Sequence, residues 1–311
     1  FWLEDCIGKE IKEKIKKANP RQIFLLENLR FYKEEEENDF SFAHSLADLA
    51  QVYVNEAFAV CHRKHASVSA ITNFIPAVTG INLEEEITNL NKALIAKKPA
   101  VWIMGGAKLD KVNLIQQALK KADKILVGGA LAFAFLSAKR IKVVMSKLDA
   151  KSIIAAKEIL SKDTKHKIIL PLDFKVADKF SSRANSKIVD FNEIENNQIA
   201  LDIGPKTIEL FKKHLSKAKT IVWNGPLGYF EWADFSIGTK EIGRYLGKID
   251  AIKICGGGET TQAIHKFYLT HNFTHVSTGG GASLAFLSGE RLPGIDALLE
   301  NYQKFRSKFE L

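Results

Sequence analysis

Cysteine is scarce in this chain. The 311 residues hold three, Cys6, Cys61 and Cys255, with neither close pairing nor metal-ligand spacing. That excludes a disulfide-stapled scaffold and a cysteine-built zinc site. It fits unpaired thiols in a reducing compartment, so a cytoplasmic protein is expected. Long apolar runs are also lacking. The best candidate, residues 125–138, carries two glycines and stops short of the roughly 18–20 residues a spanning helix needs. It reads as a buried strand entering a buried helix, and no membrane association is expected. The opening Phe1-Trp2-Leu3-Glu4-Asp5 has neither the basic start nor the apolar core of a signal peptide. It has no methionine either, and the chain is expected to be part of a longer one. A G-x-S-x-G elbow, an H-E-x-x-H helix, a G-x-x-x-x-G-K-[ST] loop and internal repeats are all missing. Those absences count against serine hydrolases, zinc proteases and Walker-type NTPases.

Hydrophobic content of 46% over this length supports a sizeable core, most naturally as two domains. The 45 basic and 36 acidic residues give a net charge of +9. The lysines are dispersed among glutamates and no Arg-rich arm occurs, so nucleic acid is not the expected partner. Two readings of the charge remain: a field that draws in small polyanionic substrates, or a lysine-rich composition without functional meaning.

Periodicity sets the organisation. Residues 7–17 and 40–49 read as helices, 23–26 and 52–54 as strands, and the acidic run 34–37 as a solvated loop or helix start. Residues 83–95 form an amphipathic helix that Pro99 ends. Beyond it, apolar strands at 101–104, 125–127, 142–144, 168–170, 220–223 and 252–254 alternate with helices at 112–121, 150–161, 205–215 and 236–246. Buried strands alternating with helices make parallel α/β, with ligands beyond the strands' C-terminal ends.

The residues with chemistry follow strands. Gly256-Gly257-Gly258 and Gly279-Gly280-Gly281 each lie between an apolar run and a plausible helix. Bare backbone N–H groups there, with the helix N-terminus behind them, suggest a phosphate site. Glu259 after the first triplet is either a Mg²⁺ anchor beside phosphates or an ordinary first-turn helix acid. Gly105-Gly106 with Lys108 and Lys111 has the ingredients of a second cradle, two lysines serving as mobile cations. In Trp223-Asn224-Gly225-Pro226, a turn is forced at a strand end. Glu231 beyond it either accepts from ribose hydroxyls or is a solvated carboxylate. His62, Arg63 and His65 cluster after the 52–54 strand, Arg63 being either an anion clamp or half of a structural ion pair.

Taken together these stretches resemble the phosphoglycerate kinase family. The likeness rests on Leu25-Leu26-Glu27-Asn28-Leu29-Arg30-Phe31, Gly105-Gly106-Ala107-Lys108, Leu170-Pro171-Leu172-Asp173-Phe174 and Ala177-Asp178-Lys179-Phe180. It continues through Leu201-Asp202-Ile203-Gly204-Pro205, Trp223 to Glu231, Ser277 to Ser283 and Glu290-Arg291-Leu292-Pro293-Gly294, in the family's order. The resemblance implies two Rossmann-like α/β lobes with parallel sheets joined by a hinge helix. Residues 1–82 would be the remainder of an incomplete phosphoglycerate-binding lobe, 83–98 the hinge, 99–285 the nucleotide lobe, and 286–311 a segment returning to the first lobe.

It further implies a monomer that transfers a phosphoryl group between Mg-ATP and 3-phosphoglycerate, yielding Mg-ADP and 1,3-bisphosphoglycerate. Lys108 would meet the transferring phosphoryl group with Gly279, Gly280 and Gly281, and Lys111 the nucleotide phosphates. Gly128 and Gly129 would line the adenine pocket. Asn224, Glu231, Gly256, Gly257, Gly258, Glu259 and Thr260 would complete the Mg-nucleotide site, and Arg63 and Lys98 would bind phosphoglycerate. The chain departs from the family pattern in lacking Asp-x-Asn-x-Pro and Ser-His-x-Gly-Arg, with the catalytic arginine among the losses. Glu259 replaces an Asp, Lys98 an Arg, and Lys108 and Lys111 stand one residue closer than usual. The alternative these departures raise is a nucleotide-binding pseudoenzyme.

Overall fold

Apolar residues at Phe42, Ala43, Leu46 and Ala47 occupy one face of a helix at Phe40–Ala47, which Asp39 starts by accepting from the Phe42 N–H at 2.7 Å. That face packs on Ala66, Ala70, Ile71 and Ile75 and forms the core of the first of two units. The protein is seen here in a computed structural model that describes residues 1–106, 112–141 and 150–308. One unit comprises Phe1–Ile87 with Glu290–Leu311, the other Thr88–Gly289. All three cysteines are buried and free. Among the described residues no helix is long and apolar enough to cross a membrane.

In the first unit, strands β1 (Tyr53–Asn55) and β2 (Ala77–Thr79) pair in parallel. The expected strand at 23–26 shrinks to one parallel bridge between Trp2 and Leu25. A short apolar run needs neighbours on its faces to become a strand, and Ile23 and Leu25 remain 80% and 69% exposed. The acidic run 34–37 makes a helical turn, Lys33–Glu36, which agrees with the expected helix start, and Glu34, Glu36 and Glu37 are exposed. Glu35 departs from expectation, being 3% exposed rather than solvated. The C-terminal helix Pro293–Phe305 belongs to this unit. Its buried Asn301 donates to the carbonyls of Thr72 and Ile75 and accepts from the Ala77 N–H at 2.8 Å.

The second unit holds β3 (Ala100–Met104), β4 (Lys124–Val127), β5 (Ile168–Ile169), β6 (Asp173–Ala177), β7 (Ser186–Asp190), β8 (Ile199–Ile203), β9 (Thr220–Asn224), β10 (Ile252–Gly256) and β11 (His275–Val276). Six of them make a parallel sheet in the order β11-β10-β9-β3-β4-β5. Every residue of β3 and β9 is buried, as strands covered on both faces must be. The stretch 125–138 resolves as expected into β4 and the buried helix Leu131–Ala138. The expected strand at 142–144 lies outside the described residues. Not foreseen was a separate antiparallel sheet, β7-β6-β8. Between β3 and β9 the chain order reverses, which in open α/β sheets is where ligands bind.

Candidate active site

Val127, Met104, Asn224 and Gly256 close β4, β3, β9 and β10 in register, so four loops leave the sheet side by side. Backbone bonds tie three of them together. The N–H groups of Gly105 and Gly106 donate to the carbonyls of Asn224 and Pro226 at 2.8 and 2.7 Å, and those of Gly128 and Gly129 to Met104 and Leu227 at 2.8 and 3.0 Å. These glycines therefore do not form the open cradle expected of Gly105 and Gly106. Their amides are used inside the protein, and their role is close approach. A Cβ on Gly105 would stand 2.1 Å from the Pro226 carbonyl oxygen.

The loop after β10 is different. Gly257 takes φ 94°, a conformation open to glycine, and starts the helix Gly258–Lys266. The first-turn amides of such a helix face outward from its N-terminus, where an anion is favoured. Asn224 and Thr260 turn inward beneath it. Both are buried. The Asn224 side-chain amide donates to the Gly256 carbonyl at 3.0 Å, and the Thr260 hydroxyl oxygen accepts from the Gly225 N–H at 2.6 Å. The second triplet precedes the helix Gly281–Leu287, and Gly279 donates to the Ser277 hydroxyl at 3.2 Å. Thr261 donates to the Ser277 carbonyl at 3.1 Å, which joins the two triplet segments.

Beside these loops lies a cavity of about 570 Å³. Its walls include Phe133, Phe174, Leu201, Leu227 and Phe230, and Phe133 and Phe174 stack with centroids 4.8 Å apart. Glu231 and Glu259, both exposed, stand on its lining. Lys266 holds the Glu231 backbone carbonyl at 2.7 Å. An apolar slot with a few polar groups at its edge suits a flat heterocycle carrying a polar tail. For a divalent cation, Glu259 offers one exposed carboxylate at the helix N-terminus, which fits Mg²⁺ delivered with phosphates. No cluster of three or more His, Cys, Asp or Glu suited to a metal occurs among the described residues.

Asp202 also lines the cavity at 2% exposure and accepts from the N–H groups of Ile203 and Gly238 at 2.9 and 2.8 Å. Burial pushes its carboxyl up to about 7, against backbone bonds from Gly238, Ile203 and Ile237 and nearby Lys175 that pull it down. Between about pH 4 and 7 the folded chain thus keeps a proton that the unfolded chain has lost. Stability from this group falls as pH rises through that window and is level above it. At about 1.4 kcal/mol per pH unit, the loss is about 4 kcal/mol. Urea unfolding of the unaltered chain and Asp202→Asn should show their stability difference moving by that amount from pH 4 to 8. A constant difference would contradict it.

A sequence model of phosphoglycerate kinase matches residues 1–290. The chain belongs to the phosphoglycerate kinase family. Its curated relatives include phosphotransferases named phosphoglycerate kinase from Pseudothermotoga lettingae, 45% identical over 96% of this chain and 77% of that protein, and from Aquifex aeolicus, 45% identical over 93% and 74%. Among solved structures, the phosphoglycerate kinase of Coxiella burnetii superposes with a TM-score of 0.86 at 35% identity, covering 96% of this chain and 77% of that one. That of Pyrococcus horikoshii gives 0.87 at 32% identity, covering 98% and 79%. The chain thus spans about three quarters of the phosphoglycerate kinases it matches.

Not every expected residue joins this site. Lys98 precedes β3, at the end of the sheet opposite the loops, and its ammonium pairs with Asp123 at 3.0 Å. A five-residue strand, about 17 Å long, separates it from Gly105. Lys108 and Lys111 lie outside the described residues. Arg63 stands in the other unit, partly buried and without an ion pair among the described residues. Sequence reasoning missed Phe133, Phe174, Phe180 and Asp202. The last three sit in motifs that carry the family resemblance, but only the folded second unit brings them to the cavity.

Proposed function

We propose that this chain carries the nucleotide half of reversible phosphoryl transfer between Mg-ATP and 3-phosphoglycerate. The observation behind this reading is a cavity with an apolar slot, an acid at its rim, and a glycine-started helix N-terminus beside it. Phe133, Phe174 and Leu227 would hold the adenine, with Gly128 and Gly129 keeping the loop close enough to pack. Glu231 would accept from ribose hydroxyls, its backbone fixed by Lys266. Gly257, Gly258 and the Glu259 amide would receive phosphate oxygens, and the Glu259 carboxylate would take Mg²⁺, which supplies charge neutralisation when bound. Gly279, Gly280 and Gly281 would face the transferring group, with Lys108 and Lys111 adding positive charge. In the unit of Phe1–Ile87 with Glu290–Leu311, Arg63 would bind the phosphoglycerate anion. Residues 83–98 would serve as the hinge.

Transfer of this kind rests on positioning and charge stabilisation rather than on protein-bound intermediates. The loops that would position nucleotide are tied to one another, so a bound nucleotide would meet donors already in place.

A second reading, a nucleotide-binding pseudoenzyme, is favoured by one observation: Lys98, where the resemblance implies a substrate-binding arginine, is engaged by Asp123. A titration of Mg-ADP into the chain tests the shared part of both readings. One nucleotide should bind per chain, and Glu231→Ala should weaken it by roughly 10- to 100-fold, the worth of hydrogen bonds to a charged group. Failure of the unaltered chain to bind Mg-ADP at millimolar concentration contradicts both.

A further inference from the structure

The acidic run 34–37 has no place in the proposed reaction, yet Glu35 is among the few charged residues that are almost wholly buried. Both its carboxylate oxygens are used. One accepts from the Ser67 N–H at 2.9 Å, the other from the Ser67 hydroxyl at 2.7 Å, and His65 Nδ1 stands 3.7 Å from the latter oxygen. Its backbone carbonyl accepts from the Ala66 N–H at 2.9 Å. Three residues on, Asn38 accepts from the Ala70 N–H at 3.1 Å. The turn at 33–38 therefore clamps the segment 65–70, some 32 residues away in sequence.

On its other side the same loop is fixed at Cys61. The Cys61 carbonyl accepts from the Gly294 N–H at 2.9 Å, and the thiol is buried. Between these two anchors lie His62, Arg63 and Lys64. Arg63 has no ion pair among the described residues, and His62 Nδ1 is buried without a hydrogen-bond partner. His62 also bonds the Ala59 backbone and burial pulls its imidazole toward the neutral form, so within this span held at both ends Arg63 is the cation left for an external anion.

We infer that Glu35 is a positioning residue for Arg63: through Ser67 it holds the 62–66 loop in the conformation that presents the guanidinium to phosphoglycerate. This rests on the proposal that Arg63 binds that substrate. A carboxylate suits this role because it accepts from both groups of Ser67 at once. Glutamine keeps only one acceptor: its NH₂ would have to donate to a reversed Ser67 hydroxyl, and the negative charge that strengthens both bonds is lost.

The test is 3-phosphoglycerate affinity, followed by chemical shifts of the 62–67 amides at ligand concentrations up to tens of millimolar. Arg63→Ala should weaken binding roughly 10- to 100-fold and Glu35→Gln roughly 5- to 30-fold, as for charged and buried hydrogen bonds. Mg-ADP affinity should be unmoved in both. The double variant should bind no more weakly than Arg63→Ala alone, because a residue that acts through Arg63 has nothing left to position. Ser67→Ala, which keeps the N–H bond and loses the hydroxyl, is the milder probe if Glu35→Gln fails to fold; it should weaken binding by roughly 3-fold. Glu35→Gln or Ser67→Ala with unchanged affinity, or losses that simply add to that of Arg63→Ala, would overturn the inference alone. An unaltered chain that ignores 3-phosphoglycerate, or an Arg63→Ala that binds it normally, would overturn the reading beneath it as well.

Discussion

Gly105→Ala is expected to abolish Mg-ADP binding. A methyl group there would lie 2.1 Å from the Pro226 oxygen, 2.5 Å from the Gly225 oxygen and 2.8 Å from the Pro226 carbonyl carbon. All three are backbone atoms, so no side chain can swing aside. The clash must separate the loops after β3 and β9, breaking the bonds from Gly105 and Gly106 to Asn224 and Pro226. Those loops form one wall of the cavity, and Asn224 and Thr260 pass the disturbance to the glycine-started helix. Overpacking of a close contact costs about 1–3 kcal/mol and more when only backbone can yield. Denaturant unfolding should show a loss of at least about 3 kcal/mol, and a Mg-ADP titration should show no saturation below millimolar concentration. Normal affinity in this variant would mean that the joined loops are not the nucleotide wall.

The second large effect concerns turnover. The 311-residue chain alone, given saturating Mg-ADP and 1,3-bisphosphoglycerate, should transfer the phosphoryl group roughly 10²- to 10⁵-fold more slowly than the Pseudothermotoga lettingae enzyme, as when a charge-stabilising group is removed from a transfer site. The physical reason is the uneven inventory of this stretch. The glycine triplets and the 223–231 segment proposed for nucleotide are present in it, whereas Asp-x-Asn-x-Pro and Ser-His-x-Gly-Arg, with the arginine that would stabilise the moving charge, do not occur in it. Lys98 cannot substitute. Its ammonium is held by Asp123, and a lysine lacks the two-pronged guanidinium that clamps a carboxylate or phosphate. Side-by-side rates within a factor of ten would contradict this.

What can be read from the chain follows from how local each feature is. The glycine triplets are legible as strand-to-helix junctions, because glycine there permits the positive φ that Gly257 and Gly280 take. The parallel sheet is legible because β3 and β9 are apolar at almost every position. Lone apolar runs are less informative: 23–26 has strand composition, but whether it pairs depends on neighbours elsewhere in the first unit. Residues 34–37 mislead because four glutamates in a row resemble a solvated face. Only Ser67, 32 residues on, makes one of them a buried acceptor. The cavity walls are hidden for the same reason, since Phe133, Phe174, Leu201 and Leu227 come from four segments that meet only in three dimensions. At Gly105 and Gly106 the residue type is informative but the partner is not, because their amides face the neighbouring loop and not an anion.

The most direct test is to locate Mg-ADP on the chain by NMR in solution. Contacts are expected between adenine protons and the side chains of Phe133 and Leu227. The largest amide shifts should fall at 257–259, with smaller ones at 105–106 and 128–129, whose N–H groups are already engaged. A nucleotide whose base contacts lie elsewhere, or whose phosphates leave the 257–259 amides unmoved, would contradict the proposed site.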